Sequence, residues 1–95
     1  VAKAILRKTD AVSEVFASLS HPIRLRVLCF LMEEEKKVSE LTEFCGISQP
    51  AMSQFLARMK NDGLLDCRKD GTRVFYRIAD EKLLRLLKVV KEIYC

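Results

Sequence analysis

The stretch Ile47–Gly63, ISQPAMSQFLARMKNDG, constrains this chain more tightly than any other. Ser48 can accept a hydrogen bond from the free N–H groups that open a helix, and Ile47 with Met52 occupies the positions of a hydrophobic staple. Gly63 suits the left-handed residue that closes a helix. Between these signals Met52, Phe55, Leu56 and Met59 recur at helical spacing and form one apolar stripe. The opposite face carries Gln49, Ser53, Gln54, Ala57 and Arg58. A helix with a buried stripe and a face of amides, hydroxyls and a cation is built to lie on a core and present polar groups outward.

The flanking segments extend the pattern. Upstream, Ser39 starts a short helix, Glu40 to about Cys45, that Gly46 stops. A first helix is expected over about residues 3–18, where Val12, Phe16 and Leu19 share a face. Ser20-His21-Pro22 restarts the chain, with Ser20 or His21 as cap and Pro22 in the first turn. The second helix then runs to about Glu34. It is apolar nearly all round apart from Arg24 and Arg26, which marks it as central and buried.

Downstream, Leu64 to Ile78 reads as a hairpin around Asp70-Gly71, a type I′ turn signal. That turn sets Arg68 opposite Arg73, Cys67 opposite Val74 and Leu65 opposite Tyr76. Leu65, Cys67, Val74, Tyr76 and Ile78 then share an inward face, while Lys69, Thr72 and the two arginines crowd the tip. Like charges directly opposite are unfavourable unless an anion neutralises them.

Asp80 caps a last helix, Glu81 to about Tyr94. Its Leu83, Leu84, Leu86, Leu87, Val89, Val90, Ile93 and Tyr94 cover more than one stripe, so the helix should pack on its own domain and on a partner. A second copy of the chain is the natural partner, giving a two-fold homodimer. Its interface is expected to use Val12 and Phe16 of the first helix with Leu83, Leu86, Val90 and Tyr94 of the last. The fold expected is mainly α with a β-hairpin wing, a winged helix-turn-helix dimerising through its terminal helices.

Ninety-five residues make a single domain, 1–95. The chain has no run as apolar and long as a membrane span and no signal-peptide pattern, so a cytoplasmic location is expected. The net charge of +4 is placed unevenly. Residues 1–47 carry seven basic and seven acidic side chains, and residues 48–95 carry ten and six. The excess therefore lies with the polar-faced helix and the hairpin, as a polyanion such as DNA requires.

A helix fits the major groove, and its N-terminal residues reach base edges. Gln49, Ser53 and Gln54 can hydrogen-bond there, and a glutamine can pair bidentately with adenine. Ser48 and the free N–H groups beside it can hold a phosphate. Arg58, Lys60, Arg68, Lys69 and Arg73 would position the protein on the backbone of double-stranded operator DNA. The motifs of catalysis are missing: there is no Ser-His-acid set, no paired carboxylates and no Gly-rich phosphate loop. No enzyme activity and no cofactor are expected.

The segments SLSHPIRLRVLCFL, VSELTEFCGISQPAMSQFLARMKNDGLL and RKDGTRVFYRI resemble the ArsR/SmtB transcriptional regulators. The resemblance spans nearly the whole chain. It implies a homodimeric repressor that leaves its operator when an inducer binds or reacts. Where that family often has a histidine in the recognition helix, this chain has Gln54, which bears on base preference.

The inducer is a question for the cysteines. Family members that sense metals carry a cysteine cluster in the helix after VSEL, or Asp and His pairs along the last helix. Here the first stretch is ELTEFCG, with Cys45 alone, and the last helix has no histidine. No metal site is expected, and His21 reads as a helix cap. Cys29 and Cys95, in RLRVLCFL and KEIYC, resemble the thiol-sensing branch of the family, the HlyU, BigR and SqrR type. There a cysteine of the second helix faces one near the end of the last. The resemblance implies that a persulfide or oxidant joins Cys29 and Cys95 through a disulfide or polysulfide, weakening DNA binding. A thiolate attacking sulfane sulfur or peroxide, with a second thiol resolving the product, is sound chemistry. Cys67 faces inward and reads as packing, and Cys45 at a helix end reads as half exposed. Two alternatives stay open: a metal-responsive repressor on the same fold, and a winged-helix module that docks protein on its last helix.

Overall fold

A computed structural model describes residues 1–95. The elements are α1 (Ala2–Leu19), α2 (Pro22–Leu31), β1 (Lys36–Lys37), α3 (Val38–Cys45), α4 (Gln49–Asn61), β2 (Leu65–Asp70), β3 (Arg73–Ile78) and α5 (Glu81–Tyr94). This is the winged helix-turn-helix order, with one addition: the two-residue strand β1, which has too few residues to show a period. It pairs with β3, and the sheet order is β1-β3-β2.

The capping signals act where they are written. His21 Nδ1 accepts from the Ile23 N–H at 3.1 Å, Ser48 Oγ from Ala51 at 3.3 Å, and Asp80 Oδ1 from Lys82 at 2.9 Å. Gly63 has φ 81°, and the Gly63 and Leu64 N–H groups return to the Lys60 and Met59 carbonyls at 3.0 and 2.9 Å. That double bond is a Schellman closure, and the accompanying apolar pair, Leu64 and Met59, is buried.

Three boundaries differ from the sequence reading. α2 ends at Leu31 rather than near Glu34. Glu33, Glu34 and Glu35 follow its C-cap Met32, and three carboxylates oppose the negative end of a helix dipole. α3 begins at Val38 with Lys37 as its cap, because the Lys37 N–H donates to Glu40 Oε1 at 3.0 Å and β1 holds Lys37 extended. The hairpin register is shifted by two residues: Asp70 faces Arg73, Lys69 faces Val74, Arg68 faces Phe75 and Cys67 faces Tyr76. Gly71 has φ 64° and no non-glycine residue has a positive φ. A type I′ turn centred on Asp70-Gly71 would force Asp70 into that region. The chain instead turns on Gly71-Thr72 with glycine first, as a type II′ turn needs. A shift of two keeps every side chain on its expected face. It removes the Arg68–Arg73 confrontation and sets Asp70 against Arg73.

The core is twelve buried residues with no polar side chain among them. Val27, Leu28 and Leu31 of α2 and Leu41 and Cys45 of α3 meet Met52, Leu56 and Met59 of α4. Leu64, Leu65, Leu83 and Leu87 complete it. Truncating one of the fully buried leucines should cost about 2–5 kcal/mol. Helix α1 buries no residue within the protomer; Val15 and Leu19 reach the core only at its C-terminal end. The rest runs outward as an arm, in a molecule measuring 50 × 28 × 20 Å. No helix is long and apolar enough to cross a membrane.

Candidate nucleic-acid interface and thiol pair

The stripe of α4 is seated as its spacing requires: Met52, Leu56 and Met59 are fully buried and Phe55 is half-buried. Gln49, Ser53, Gln54, Ala57 and Arg58 are all exposed. Beside the N-terminal end of this face lies an open cleft of about 410 Å³ between α4, the start of α3 and the wing. Gln49 and Ser53 line it from α4, Lys37 and Ser39 from the β1–α3 junction, and Thr72 and Arg73 from the wing. The sequence reading gave Lys37 no role and Ser39 only that of a helix start. The signal was there, two lysines directly ahead of VSEL, but their role depends on β1 bringing them beside the hairpin.

The other cations divide into two groups. Lys69 and Arg73 are exposed at the wing tip, and neither forms an ion pair within the chain. Arg68 is engaged: its Nε donates to Glu35 Oε2 at 2.9 Å, its Nη2 to Glu35 Oε1, and its guanidinium lies 4.3 Å from the Phe75 ring centre. The hydrogen bond from Arg68 holds the Glu35 carboxyl below its ordinary range. Lys60 is exposed on α4, with Nζ donating to Cys67 Sγ at 3.2 Å. That bond raises the Lys60 pKa. Cys67 is half-buried on the inward face of the wing.

The four cysteines are free thiols in distinct settings. Cys45 is buried with the core at 7% exposure, not half exposed as its place at a helix end suggested, because α3 turns that end onto α2 and α4. Cys29 and Cys95 are both exposed, on α2 and at the end of α5. They are close enough that charge on Cys95 raises the Cys29 pKa. Partial burial is the larger cause of that rise, and Lys91 opposes it. Lys88, Lys91, Glu92 and Cys95 line one side of a cleft whose other wall is Met32 and Glu33, just after α2. No group of three histidine, cysteine or carboxylate residues converges in a geometry suited to a metal ion.

The terminal helices leave apolar surface uncovered. Val12 and Phe16 of α1 are 51% and 55% exposed, and Tyr94 of α5 is 82% exposed, with Ile93 and Val89 beside it. Leu86 and Val90 are half-buried. Leu83, expected at a dimer interface, is 2% exposed and belongs to the protomer's own core. Leu83 and Leu87, four residues apart, seat the first half of α5 in the core, and exposure of large apolar side chains begins at Val89.

Comparison with known proteins agrees with this architecture. Residues 21–66 match the family described as bacterial regulatory protein, arsR family. The biofilm growth-associated repressor of Xylella fastidiosa is 34% identical over 89 residues, 94% of this chain and 78% of the relative. Reduced HlyU from Vibrio cholerae superposes with a TM-score of 0.93 at 28% identity, covering 98% of both chains. A homodimeric winged helix-turn-helix domain from Mycobacterium bovis gives a TM-score of 0.79 at 34% identity, covering 96% of this chain and 82% of that one. Family match, near full-length likeness and an exposed polar face on α4 beside a basic wing converge: the chain belongs to the ArsR family of DNA-binding transcriptional regulators.

Proposed function

We propose that the protein is a homodimeric operator-binding repressor whose grip on DNA is released when Cys29 and Cys95 are bridged. Helix α4 enters the major groove. Gln49, Ser53 and Gln54 face base edges, and Ser48 with the N–H groups of the helix start faces a phosphate. Arg58, Lys60, Lys69 and Arg73 contact the backbone, while Arg68, tied to Glu35, braces the wing that carries Lys69 and Arg73. The exposed faces of α1 and α5, through Val12, Phe16, Leu86, Val90 and Tyr94, join two protomers. A homodimeric winged helix-turn-helix domain of similar fold supports the pairing of two protomers.

The observation that carries the switch is placement: Cys29 on α2 and Cys95 at the end of α5 are both free and exposed, and Cys95 shares a cleft with Met32 and Glu33 at the end of α2, where Lys91 reaches Glu33 at 3.9 Å. One thiol is on the helix packed against the recognition unit, and the other is on the helix that carries the exposed dimer face. A thiolate of the pair attacks the outer sulfur of an organic persulfide, releasing RS⁻ and leaving a protein persulfide. The second thiolate attacks the sulfur bound to carbon, forms the disulfide and expels HS⁻. With a peroxide the intermediate is a sulfenic acid and water leaves. Tying α2 to α5 changes the angle between the two recognition helices of the dimer, and so their fit to two half-sites.

The test is intact and peptide mass spectrometry on anaerobically reduced protein, before and after glutathione persulfide and, separately, peroxide. A Cys29–Cys95 crosslink within one chain, accompanied by loss of DNA affinity, is expected. Four unmodified thiols would reject the switch.

A further inference from the structure

Helix α4 has a second charged flank, where Arg24 of α2 joins Gln54 and Arg58. Opposite the wing-side cleft, Arg24 of α2 meets Gln54, Phe55 and Arg58 of α4 around an open cleft of about 200 Å³. Arg24 takes part in no ion pair, and its Nε is buried without a hydrogen-bond acceptor. Glu14, Asp62 and Asp80 border the adjoining hollow with Arg24, yet only Asp62 engages a cation there, reaching Arg58 Nε at a loose 3.8 Å. Two guanidinium groups and an amide thus line the cleft, with the buried Nε of Arg24 unpaired beside it. A buried donor left unpaired costs about 1–3 kcal/mol, so Arg24 stands short of an acceptor, the role an oxygen-rich anion fills.

The position of the cleft names the anion. At about 100° per residue, Gln49 and Ser53 lie roughly 140° around α4 from Gln54 and Arg58. The exposed face lies between these two flanks. Each flank opens on a polar, cation-bearing cleft, with Lys37 and Arg73 on one side and Arg24 and Arg58 on the other. A helix in the major groove has a phosphate backbone on both sides, about 12 Å apart across the groove. We propose that Arg24, with Arg58, is a phosphodiester-binding site on the α2 side of the recognition helix, so that the two clefts grip the two backbones bounding one major groove.

Arg24 comes from α2, outside the helix-turn-helix pair and the wing. Its fork matches a phosphate in a way that the flexible point charge of a lysine does not. The proposal rests on α4 being the DNA-reading helix, and the test separates the two ideas. Fluorescence anisotropy would follow binding of the full chain to a labelled 30-base-pair duplex of random sequence across a salt series. Wild type that does not bind this duplex even at low salt would refute the DNA reading itself. If wild type binds, Arg24→Gln should bind several-fold more weakly and flatten the salt slope by about 0.9. Arg24→Lys should restore most of the slope while recovering only part of the affinity.

A purely structural role predicts something else: a lower melting temperature with an unchanged slope, or affinity equal to wild type. Either result overturns the proposal. Should Arg24→Gln fold poorly, Arg24→Lys and Arg58→Gln decide the matter, because an unchanged slope in Arg58→Gln together with full affinity in Arg24→Lys also overturns it.

Discussion

Arg68 of β2 reaches across the central strand of the sheet to Glu35, the residue just before β1. The guanidinium lies over Phe75 of β3 on the way and donates from two nitrogens to the carboxylate. Strands β1 and β2 are not neighbours, so this pair ties the wing to the base of α3 without a backbone ladder between them. It gives Arg68 a partner within the chain, while its side chain stays 53% exposed.

Breaking that tie should loosen the wing. In Glu35→Gln the amides of β2 should exchange faster than in wild type, read by hydrogen exchange, while those of α4 stay protected. The wing's phosphate contacts should weaken with it. The pH dependence has a definite sign. Glu35 is depressed by its bond to Arg68, so the tie is complete above the ordinary glutamate range of about 4.3 and is lost as pH falls through the lower folded-state value. The Glu35 carboxyl resonance should therefore titrate below that of free glutamate, and the shift should vanish in Arg68→Gln.

Base readers and phosphate binders should separate cleanly. Gln54→Ala should cost about 1–3 kcal/mol at one base position of a selected operator and leave the salt slope unchanged. Arg73→Gln should weaken binding to all sequences alike and reduce the slope by about 1. Binding isotherms on operator and scrambled duplexes at several salt concentrations check both. A Gln54→Ala variant that loses affinity equally on both duplexes would remove Gln54 from the base-reading set.

The Cys29 thiol carries its own prediction. It is raised by burial and by Cys95 and lowered by Lys91. The midpoint of its alkylation by iodoacetamide should lie above that of a free thiol, fall in Cys95→Ser and rise further in Lys91→Gln. Mass spectrometry of the Cys29 peptide across a pH series reads all three. A midpoint indifferent to Cys95 would mean that the two thiols are not coupled.

Dimer formation can be tested on side chains that the protomer itself does not need. Phe16→Asp and Tyr94→Asp alter residues that are 55% and 82% exposed, so each variant should keep its helical spectrum and run as a monomer in sedimentation velocity. Leu83→Asp should unfold the protein instead, because Leu83 is core.

Much of this molecule is local, and local structure is legible in a chain. His21, Ser48, Asp80 and Gly63 act through bonds to residues two to five positions away, and the stripe Met52, Phe55, Leu56 and Met59 follows from helical period alone. The face of each hairpin strand was equally readable, since an even register shift preserves it. The register itself was not, because it depended on whether Asp70 would accept a positive φ. What only the tertiary structure decided depends on long-range placement. Strand β1 exists because β3 lies beside Lys36 and Lys37, and Arg68 is occupied because Glu35, 33 residues earlier, meets it. Leu83 is core because it and Leu87 seat α5 against the other helices, and Arg24 lies beside Arg58 because folding brings the start of α2 to the flank of α4, where His21 meets Phe55. Local bonds and periods are properties of neighbours along the chain; pairings such as these arise only when distant segments are folded together.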